Sequence, residues 1–538
     1  MTKTIFAVAG ILLTADVCPA AQSPNFIIFY VDDLGWADTS VQMMDEEPFS
    51  VSDFYRTPHL ERLAKRGMRF SNGYAPAPTC TPSRKSIQFG KTPARLKYTF
   101  VHDVLALKRG LKWKDEVSMA DVIKGANKNY ITAHFGKGMS GEQMKTIGYD
   151  VTDEFDGNAP NGNFHGEYMD LKSRKPVPDD DPKRIYSLTK RSVDFVTRHG
   201  GKRPFYMMVS HYAVHVPHAA TSKLIEKYRK LPRGRDCQDG DYIDPVKMSK
   251  GKRTCAWRLQ YAAMIEEVDF SLGAIVDAVR ESGQLDNTYI IFTSDNGGGM
   301  KPNGPLNWGK AQLFEGGLRV PFIVAGPGVK AGAQCDVPVA QWDLLPTLHD
   351  LANSNGPLPK ELDGGSLRDV LARGNDAQVI RPREGLVFHY PCYFAPPLSV
   401  IRLGDYKFLK HLNTGEVRLY DLKADYAEKT DLARSMPEKV AQLDAVLTRY
   451  LKSIDAEDVK DVYQARFEEL DRFERMTLDL HKRDLARAMK AEEGAALAAT
   501  KERLKKKRNE DLLRFDRNRK ECAENMKATH WAGAAPKN

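Results

Sequence analysis

Four side chains with oxygen ligands stand in two pairs at similar places in the chain. Asp32 and Asp33 follow one apolar run, and Asp295 and Asn296 follow another far downstream. Carboxylate and amide oxygens suit a hard cation, and the residue types alone leave Ca²⁺, Mg²⁺ and Mn²⁺ open. Either pair by itself would fit a solvated turn or a helix cap equally well. Because both pairs occur, the sequence predicts one metal site built from them.

The segment 80–91, CTPSRKSIQFGK, is the other candidate for chemistry. Pro82 suits the first turn of a helix, where its missing N–H costs nothing. Cys80 would then lie at the helix N-terminus, where backbone N–H groups favour an anion, and Arg84 would lie one turn further on the same face. Seen in isolation, Cys80 could also be a small buried cysteine in a Pro-rich loop. The pattern predicts an anion site beside a cysteine.

A sheet is needed to bring these residues together. Short apolar runs at 26–31, 130–135, 205–210, 289–293 and 322–325 predict buried strands, and helical patterns at 60–66, 191–198 and 258–280 lie between them. This alternation predicts an α/β fold with a large, mostly parallel sheet sandwiched by helices. Ligands sit outside the carboxyl ends of parallel strands, so Asp32, Lys137 and Asp295 are expected to line one crevice.

The pattern changes near residue 385. Strand-like runs at 385–390, 399–403, 407–411 and 415–420, separated by turn signals, predict a small C-terminal antiparallel α+β subdomain. Beyond residue 454 the chain is helical in propensity, and residues 501–520 hold ten basic and four acidic side chains. We interpret this extension as a solvated helical tail, with binding to an anionic polymer or a partner helix as the alternative.

Composition bounds the possible classes of protein. The chain has 538 residues, 42% hydrophobic and 28% charged, which excludes wholesale disorder and a polytopic membrane protein. A net charge of +9 is too mild to indicate nucleic-acid binding. Lys3, the apolar run 5–13 and the small residues Ala20 and Ala21 predict a signal peptide, and hence a secreted or periplasmic protein. No later run is long enough to span a membrane.

These observations predict four regions and one disulfide. The regions are a signal peptide at 1–21, a catalytic domain at 22–384, the antiparallel subdomain at 385–453 and a charged helical extension at 454–538. Cys237 and Cys255 lie 18 residues apart in a Gly- and Pro-containing segment, so a local disulfide is expected in an oxidising compartment.

Taken together, these motifs resemble those of a known family, the type I, formylglycine-dependent sulfatases. The central match is Cys80-Thr81-Pro82-Ser83-Arg84, followed by Gly90. Further blocks occur in the family's order: Asp32-Asp33-Leu34-Gly35, His215-Val216-Pro217, Ser294-Asp295-Asn296-Gly297, Gly309-Lys310, and the blocks 315–321, 343–347 and 420–422. The resemblance covers roughly residues 25–432 and implies an alkaline-phosphatase-like fold with sulfatase activity.

The resemblance also implies a mechanism. A separate maturation enzyme oxidises Cys80 to formylglycine, whose hydrate attacks sulfur and forms a covalent sulfate ester that is later released. The implied ligands of a Ca²⁺ ion are Asp32, Asp33, Asp295 and Asn296. Charge on the sulfuryl oxygens is implied to be stabilised by the metal and by Arg84, Lys137 and Lys310. His215, alone or with Lys310, is implied to protonate the leaving alcohol oxygen.

Two positions depart from the family pattern. Val214 stands in place of the proline that usually begins the Pro-His-x-Pro element, and the second departure removes a side chain with a chemical role. The block after the second strand usually reads Gly-Lys-x-His in the family, where the histidine helps release sulfate, but here it reads Gly136-Lys137-Gly138-Met139. Met139 cannot move a proton. The alternatives are a shifted loop, a slow release step, or another histidine in this role, for which His134, His102 and His165 are candidates.

The resulting functional hypothesis is a secreted sulfatase that hydrolyses sulfate esters of a carbohydrate. Its expected partners are the sulfated sugar and the maturation enzyme, with no nucleic acid. Two alternatives stay open at this point. One is a phosphodiester or phosphonate monoester hydrolase of the same superfamily, and the other is a protein that binds sulfated glycans without cleaving them.

Overall fold

A computed structural model describes residues 23–101, 111–153, 180–216, 218–237, 240–244, 249–253, 255–299, 303–356, 358–392 and 396–525. The predicted signal peptide at 1–21, His102 and His165 lie outside these residues. Among the helices described, none combines the length and apolar character needed to cross a membrane.

The strands of the described residues are numbered in chain order. They are β1 (Asn25–Val31), β2 (Gly67–Phe70), β3 (Gly73–Tyr74), β4 (Ile131–Gly136), β5 (Val151–Thr152), β6 (Phe205–Ser210), β7 (Gly240–Asp244), β8 (Ser249–Arg253), β9 (Thr288–Ser294), β10 (Phe322–Ala325), β11 (Ala333–Cys335), β12 (Val339–Ala340), β13 (Leu386–Tyr390), β14 (Leu398–Leu403), β15 (Tyr406–His411) and β16 (Val417–Asp421).

The α-helices fill most of the intervals between strands. They span Pro58–Arg66, Cys80–Phe89, Met119–Ala126, Gly141–Thr146, Ile185–His199, Ser222–Arg229, Cys255–Glu281, Glu315–Leu318, Leu344–Leu351, Arg368–Arg373, Pro437–Ser453, Val459–Ala491 and Gly494–Asn525. Single 3₁₀ turns occur at Trp113–Asp115, Pro182–Arg184, Arg235–Cys237, Leu285–Asn287, Gln341–Asp343 and Gly374–Asp376.

The main sheet has eight strands in the order β11-β2-β10-β9-β1-β6-β4-β5. Strands β9, β1, β6, β4 and β5 run parallel to one another, and β2 is parallel to β11. Strand β10 runs antiparallel to both β9 and β2. The predicted mostly parallel sheet is therefore confirmed, with one reversed strand near its edge.

Both faces of this sheet are covered, as the continuous apolar runs predict. In β1, Ile27, Phe29 and Val31 face one apolar cluster, which includes residues of the helices Pro58–Arg66, Ile185–His199 and Cys255–Glu281. Phe26, Ile28 and Tyr30 face the other, which includes residues of Cys80–Phe89, Met119–Ala126 and Leu344–Leu351. The helix that begins at Cys80 thus lies on one face of the sheet, beside its centre.

A second, antiparallel sheet follows in the order β13-β14-β15-β16, as predicted for the C-terminal subdomain. Its strands pack against the helix Pro437–Ser453 through an apolar cluster that also contains Val459, Tyr463, Leu470 and Phe515. These last residues belong to the two long C-terminal helices, so the base of the extension is part of the folded core. In the described part of the chain, Cys237 is disulfide-bonded; its pairing with Cys255 stays a prediction.

Candidate active site

Four neighbouring parallel strands bring the chemistry-bearing residues to one edge of the main sheet. Asp32 and Asp33 follow β1, Lys137 follows β4, and Asp295 follows β9. Ser210 is the last residue of β6, which lies between β1 and β4. Because these strands are parallel, their carboxyl ends meet and form a single crevice.

Cys80 faces this crevice from the first residue of its helix. The carboxylate oxygens of Asp32 and Asp295 and the Sγ of Cys80 lie within 4.8 Å of one another, and all three residues are buried. The helix ends at Gly90, which adopts the left-handed conformation (φ 63°) that closes a helix without steric cost. The free N–H groups of the first turn add partial positive charge next to the sulfur.

The oxygen ligands of the crevice fit a hard cation. The amide nitrogen of Asn296 donates to Asp33 Oδ1 at 2.8 Å, and the Asp33 backbone N–H donates to Asp295 Oδ1 at 3.1 Å. Asp32 Oδ1 and Asn296 Oδ1 are buried without a hydrogen-bond partner in the described structure. A buried polar atom left unsatisfied costs about 1–3 kcal/mol, and a bound cation would satisfy these two oxygens.

Arg84 is fixed by contacts on several sides. Its Nε donates to Asp295 Oδ2 at 2.8 Å, and one terminal nitrogen donates to the Lys137 carbonyl at 3.1 Å and to the Ser210 hydroxyl. The guanidinium also lies 4.9 Å from the centre of the Tyr30 ring. This buried cation therefore stands one helical turn beyond Cys80 in a single orientation.

Two lysines and a histidine contact the paired aspartates. Lys137 Nζ forms an ion pair with Asp32 Oδ2. Lys310 Nζ lies 2.7 Å from Asp33 Oδ2, and His215 Nε2 lies 3.8 Å from the same oxygen. The structure thus places all the candidate site residues named from the sequence around one crevice.

The charges of this cluster determine its ionisation. Burial would raise the pKa of Asp32 and Asp33, but Lys137 beside the first and Lys310 beside the second hold both below their usual value. Burial, together with the charge of Asp32, raises the pKa of Asp295 to about 7. A bound cation would favour the charged form of Asp295, as it does for any coordinating carboxylate.

His215 is largely buried and lies beside a lysine. Burial and the nearby charge of Lys310 lower the pKa of His215 to about 4. Burial would lower the pKa of Lys310 as well, but Asp33 raises it above its usual value. In this arrangement the proton of the pair resides on Lys310 at neutral pH.

The departure at Met139 is visible in the packing. Met139 is 8% exposed and belongs to the apolar cluster that includes residues of the helix Cys80–Phe89. Of the three histidines considered as substitutes, His134 is within the described residues: an added Cβ at Gly138 would lie 2.9 Å from its ring carbon Cε1. Burial, with the charge of Arg84, lowers the pKa of His134 to about 3. His134 is therefore a neutral, buried ring next to the Gly138-Met139 segment.

Sequence reasoning missed three residues that support this site. Ser210 accepts from Arg84 and donates to the Lys137 carbonyl at 2.5 Å, and the His211 carbonyl accepts from Arg84 at 3.4 Å. Ser210 and His211 lie at the carboxyl end of β6. The expectation that site residues follow parallel strands, which selected Asp32, would therefore also have selected them. Lys183 is fully buried with φ 56°, and burial lowers its pKa to about 7. No sequence signal marks it, because Pro182–Arg184 is an irregular connection.

Comparison with known proteins agrees with this geometry. The sulfatase family model matches residues 24–354. A sulfatase from Formosa agariphila is 28% identical over 504 residues, covering 78% of this chain and 86% of the relative. Human N-acetylgalactosamine-6-sulfatase is 28% identical over 392 residues, covering 66% of this chain and 67% of the relative.

The fold also agrees with a solved structure. The PsFucS1 sulfatase from Pseudoalteromonas sp. superimposes with a TM-score of 0.61 at 22% identity, covering 81% of this chain and 91% of that one. The sheet, the crevice and the family match define an alkaline-phosphatase-like hydrolase. The chain belongs to the sulfatase family, and it is a sulfuric ester hydrolase.

Proposed function

We propose that this protein is an exported sulfatase of carbohydrate substrates whose nucleophile is a formylglycine made from Cys80. The observation that carries the proposal is the position of Cys80: its Sγ lies within 4.8 Å of two buried carboxylates. One turn further along the same helix, the Arg84 guanidinium is bound to Asp295. A thiol offers no oxygen nucleophile, whereas a hydrated aldehyde at this position would supply one.

A divalent cation is part of the proposal. Its ligands would be Asp32, Asp33, Asp295 and Asn296, and Ca²⁺ is the ion that the family resemblance implies. The unpartnered Oδ1 atoms of Asp32 and Asn296 support this assignment. When bound, the cation would stabilise negative charge on oxygen next to position 80.

The remaining residues hold the sulfate group and move a proton. Arg84 and Lys137 are buried at the crevice and Lys310 is partly buried there, and these three cations would neutralise the sulfuryl oxygens of the substrate. Lys310 and His215 approach the same oxygen of Asp33, at 2.7 and 3.8 Å. They therefore lie on one side of the crevice, where the leaving alcohol oxygen would take up a proton.

Two observations favour an extracellular carbohydrate as the substrate. The first is the signal-peptide pattern at residues 1–21. The second is the human relative, whose name specifies a sulfated amino sugar.

The test is to express the chain with a formylglycine-generating enzyme and to measure both maturation and turnover. Mass spectrometry of the tryptic peptide containing Cys80 should show the aldehyde in place of the thiol. Aryl sulfate and N-acetylgalactosamine 6-sulfate should be hydrolysed in preference to an aryl phosphonate. Cys80→Ala should remove this turnover, and Cys335→Ala, at another buried free cysteine, should retain it.

The opposite pattern would overturn the proposal. Full turnover by the Cys80→Ala variant would exclude the assigned nucleophile. A faster reaction with the phosphonate than with the sulfate would assign the crevice to phosphorus esters.

A further inference from the structure

The C-terminal extension is a hairpin of two long antiparallel helices, Val459–Ala491 and Gly494–Asn525. Near its base, Arg519 lies 2.9 Å from Asp471, and further along, His481 Nε2 lies 3.0 Å from Asp511 Oδ2. At about 1.5 Å per residue each helix is about 50 Å long. The hairpin lies beyond the family match, which ends at residue 354.

The second helix of the hairpin carries a row of basic side chains on one face. At about 100° per residue, six positions between 500 and 520 fall within about 100° of its circumference. All six are exposed, and five are basic: Arg503, Lys506, Lys507, Arg514 and Arg517, with Glu510 as the only acidic member. We call these five side chains the basic row, and it is about 21 Å long.

Most of the basic row has no carboxylate partner. Within the described chain, Arg514 pairs with Asp511 at 3.2 Å, and no carboxylate lies within 4 Å of the other four. By contrast, Arg519 on another face of the same helix contacts Asp471, Glu474 and Asp516. The cations that hold the hairpin together are therefore separate from those of the basic row.

The basic row costs stability rather than adding to it. Arg503 and Lys507 are four residues apart, a spacing at which like charges destabilise a helix by about 0.2–0.5 kcal/mol. Leu513, beside the row, is 62% exposed, so none of the described residues covers this face of the helix. An exposed row of like charges attracts ligands of opposite charge and raises their local concentration.

We propose that the basic row binds a sulfated polysaccharide chain and holds the polymer while one of its sulfate esters reacts in the crevice. This inference rests on the proposed function for its choice of polyanion. Sulfate esters spaced along a polymer match a linear array of exposed cations. The same array would not discriminate among small sulfate esters, which reach only the crevice.

The position of the hairpin relative to the active site makes the expected binding depend on the length of the sulfated chain. Val462, in the first turn of the hairpin, packs in one apolar cluster with Phe314 and Trp308, beside the loop that carries Lys310. The pairing of His481 with Asp511 places Arg517 beside residue 475 and Arg503 beside residue 489. The basic row thus extends from about 20 to about 40 Å along the hairpin from that turn. Only a polymer can reach both places.

The experiment measures binding of fluorescein-labelled heparin, as polymer and as disaccharide, to the full-length matured protein. Arg503→Glu/Lys507→Glu should weaken polymer binding about tenfold and flatten its salt dependence, because two contacts to the polyanion are reversed. Lys501→Glu/Lys505→Glu is the matched control, since it changes the net charge equally on another exposed face. It should weaken polymer binding less than about threefold.

Several outcomes separate the possibilities. Equal losses in both double variants, or unchanged polymer binding in Arg503→Glu/Lys507→Glu, would overturn the proposal. Tighter binding of double-stranded DNA than of heparin would assign the basic row to nucleic acid and also overturn it. Both variants should keep wild-type turnover of an aryl sulfate. If wild-type protein lacked that turnover while the heparin results held, the proposed function would fail and the basic row would stand.

Discussion

At the scale of single residues, the crevice contains two oxygens that accept no hydrogen bond from the part of the chain that the structure describes. Among the described residues, Asp32 Oδ1 and Asn296 Oδ1 are buried without a hydrogen-bond partner, in a site where the carboxylates of Asp32 and Asp295 lie close together. The cations Arg84, Lys137 and Lys310 offset part of this negative charge. A bound divalent ion would satisfy both oxygens, and its binding energy would add to the stability of the folded state.

Replacing Asp295 by Asn should test this arrangement. The variant keeps the shape of the side chain but loses a charged ligand, so we expect its calcium content, measured by atomic emission, to fall below the wild-type value. Treatment with EDTA should lower the Tm of the wild-type protein and leave that of the variant nearly unchanged.

A matched control is Asp363→Asn. Asp363 is also buried, but it pairs with Arg95 at 2.7 Å, away from the crevice. This variant should lose stability and keep its calcium. Full calcium content in Asp295→Asn would contradict the ligand assignment.

Sequence reasoning found the residues that follow strands and missed those held by tertiary contacts. Asp32 and Asp295 could be named because each follows an apolar run, and parallel strands place such positions together. Lys183 could not be named, because its place depends on a left-handed turn within an irregular connection. The effect of Met139 on the reaction also lies beyond the sequence, since it depends on which other side chains reach the crevice.

At the scale of elements, the turn after β4 positions Lys137. Gly136 adopts φ 94°, and an added Cβ would lie 2.0 Å from the Ser210 carbonyl oxygen of the neighbouring strand. Gly136→Ala should therefore lower the free energy of unfolding by about 2 kcal/mol or more and reduce turnover, because the turn that carries Lys137 must shift. Chemical denaturation and aryl sulfate kinetics measure the two effects.

Gly125→Ala is the control for this substitution. Gly125 lies in the helix Met119–Ala126, and an added Cβ meets nothing within 4 Å. Alanine there should raise stability by about 0.5–1 kcal/mol and leave turnover unchanged. Equal stability changes in the two variants would show that the turn is not constrained as the structure indicates.

The elements themselves were largely predictable. The strands Phe205–Ser210 and Phe322–Ala325 and the helix start at Cys80 agree with the sequence patterns because each is a local signal of apolar runs or of proline. The reversed direction of β10 was not predicted. Strand direction depends on where the preceding connection crosses the sheet, and no local pattern encodes that.

At the scale of the whole molecule, buried ion pairs join the small sheet to the main domain. Lys407 of β15 lies 2.9 Å from Glu315 and 2.8 Å from Glu428, and Glu315 also pairs with Arg319 at 2.7 Å. Glu315 begins a helix that follows the loop carrying Lys310. The subdomain therefore supports one wall of the crevice.

Lys407→Met should destabilise the protein strongly, since it leaves two buried carboxylates without their shared cation. We expect a loss of about 3–5 kcal/mol in the free energy of unfolding, together with reduced turnover. Arg418 lies in the adjacent strand β16 and forms an exposed pair with Glu416. Arg418→Met removes this pair and should cost about 1 kcal/mol or less. A loss for Lys407→Met no larger than that for Arg418→Met would exclude the supporting role.

If Cys80 is oxidised to formylglycine, as proposed, its burial determines whether this happens before or after folding. Only 5% of this residue is exposed, and it belongs to a hydrogen-bonded helix whose open end faces a wall of charged side chains. An oxidising enzyme has to enclose the side chain that it converts, and the finished fold offers no room for that. If Cys80 is converted as proposed, the conversion would have to precede the completion of folding. On that proposal, a cell that makes this chain faster than it converts it would accumulate folded molecules that keep the thiol at position 80.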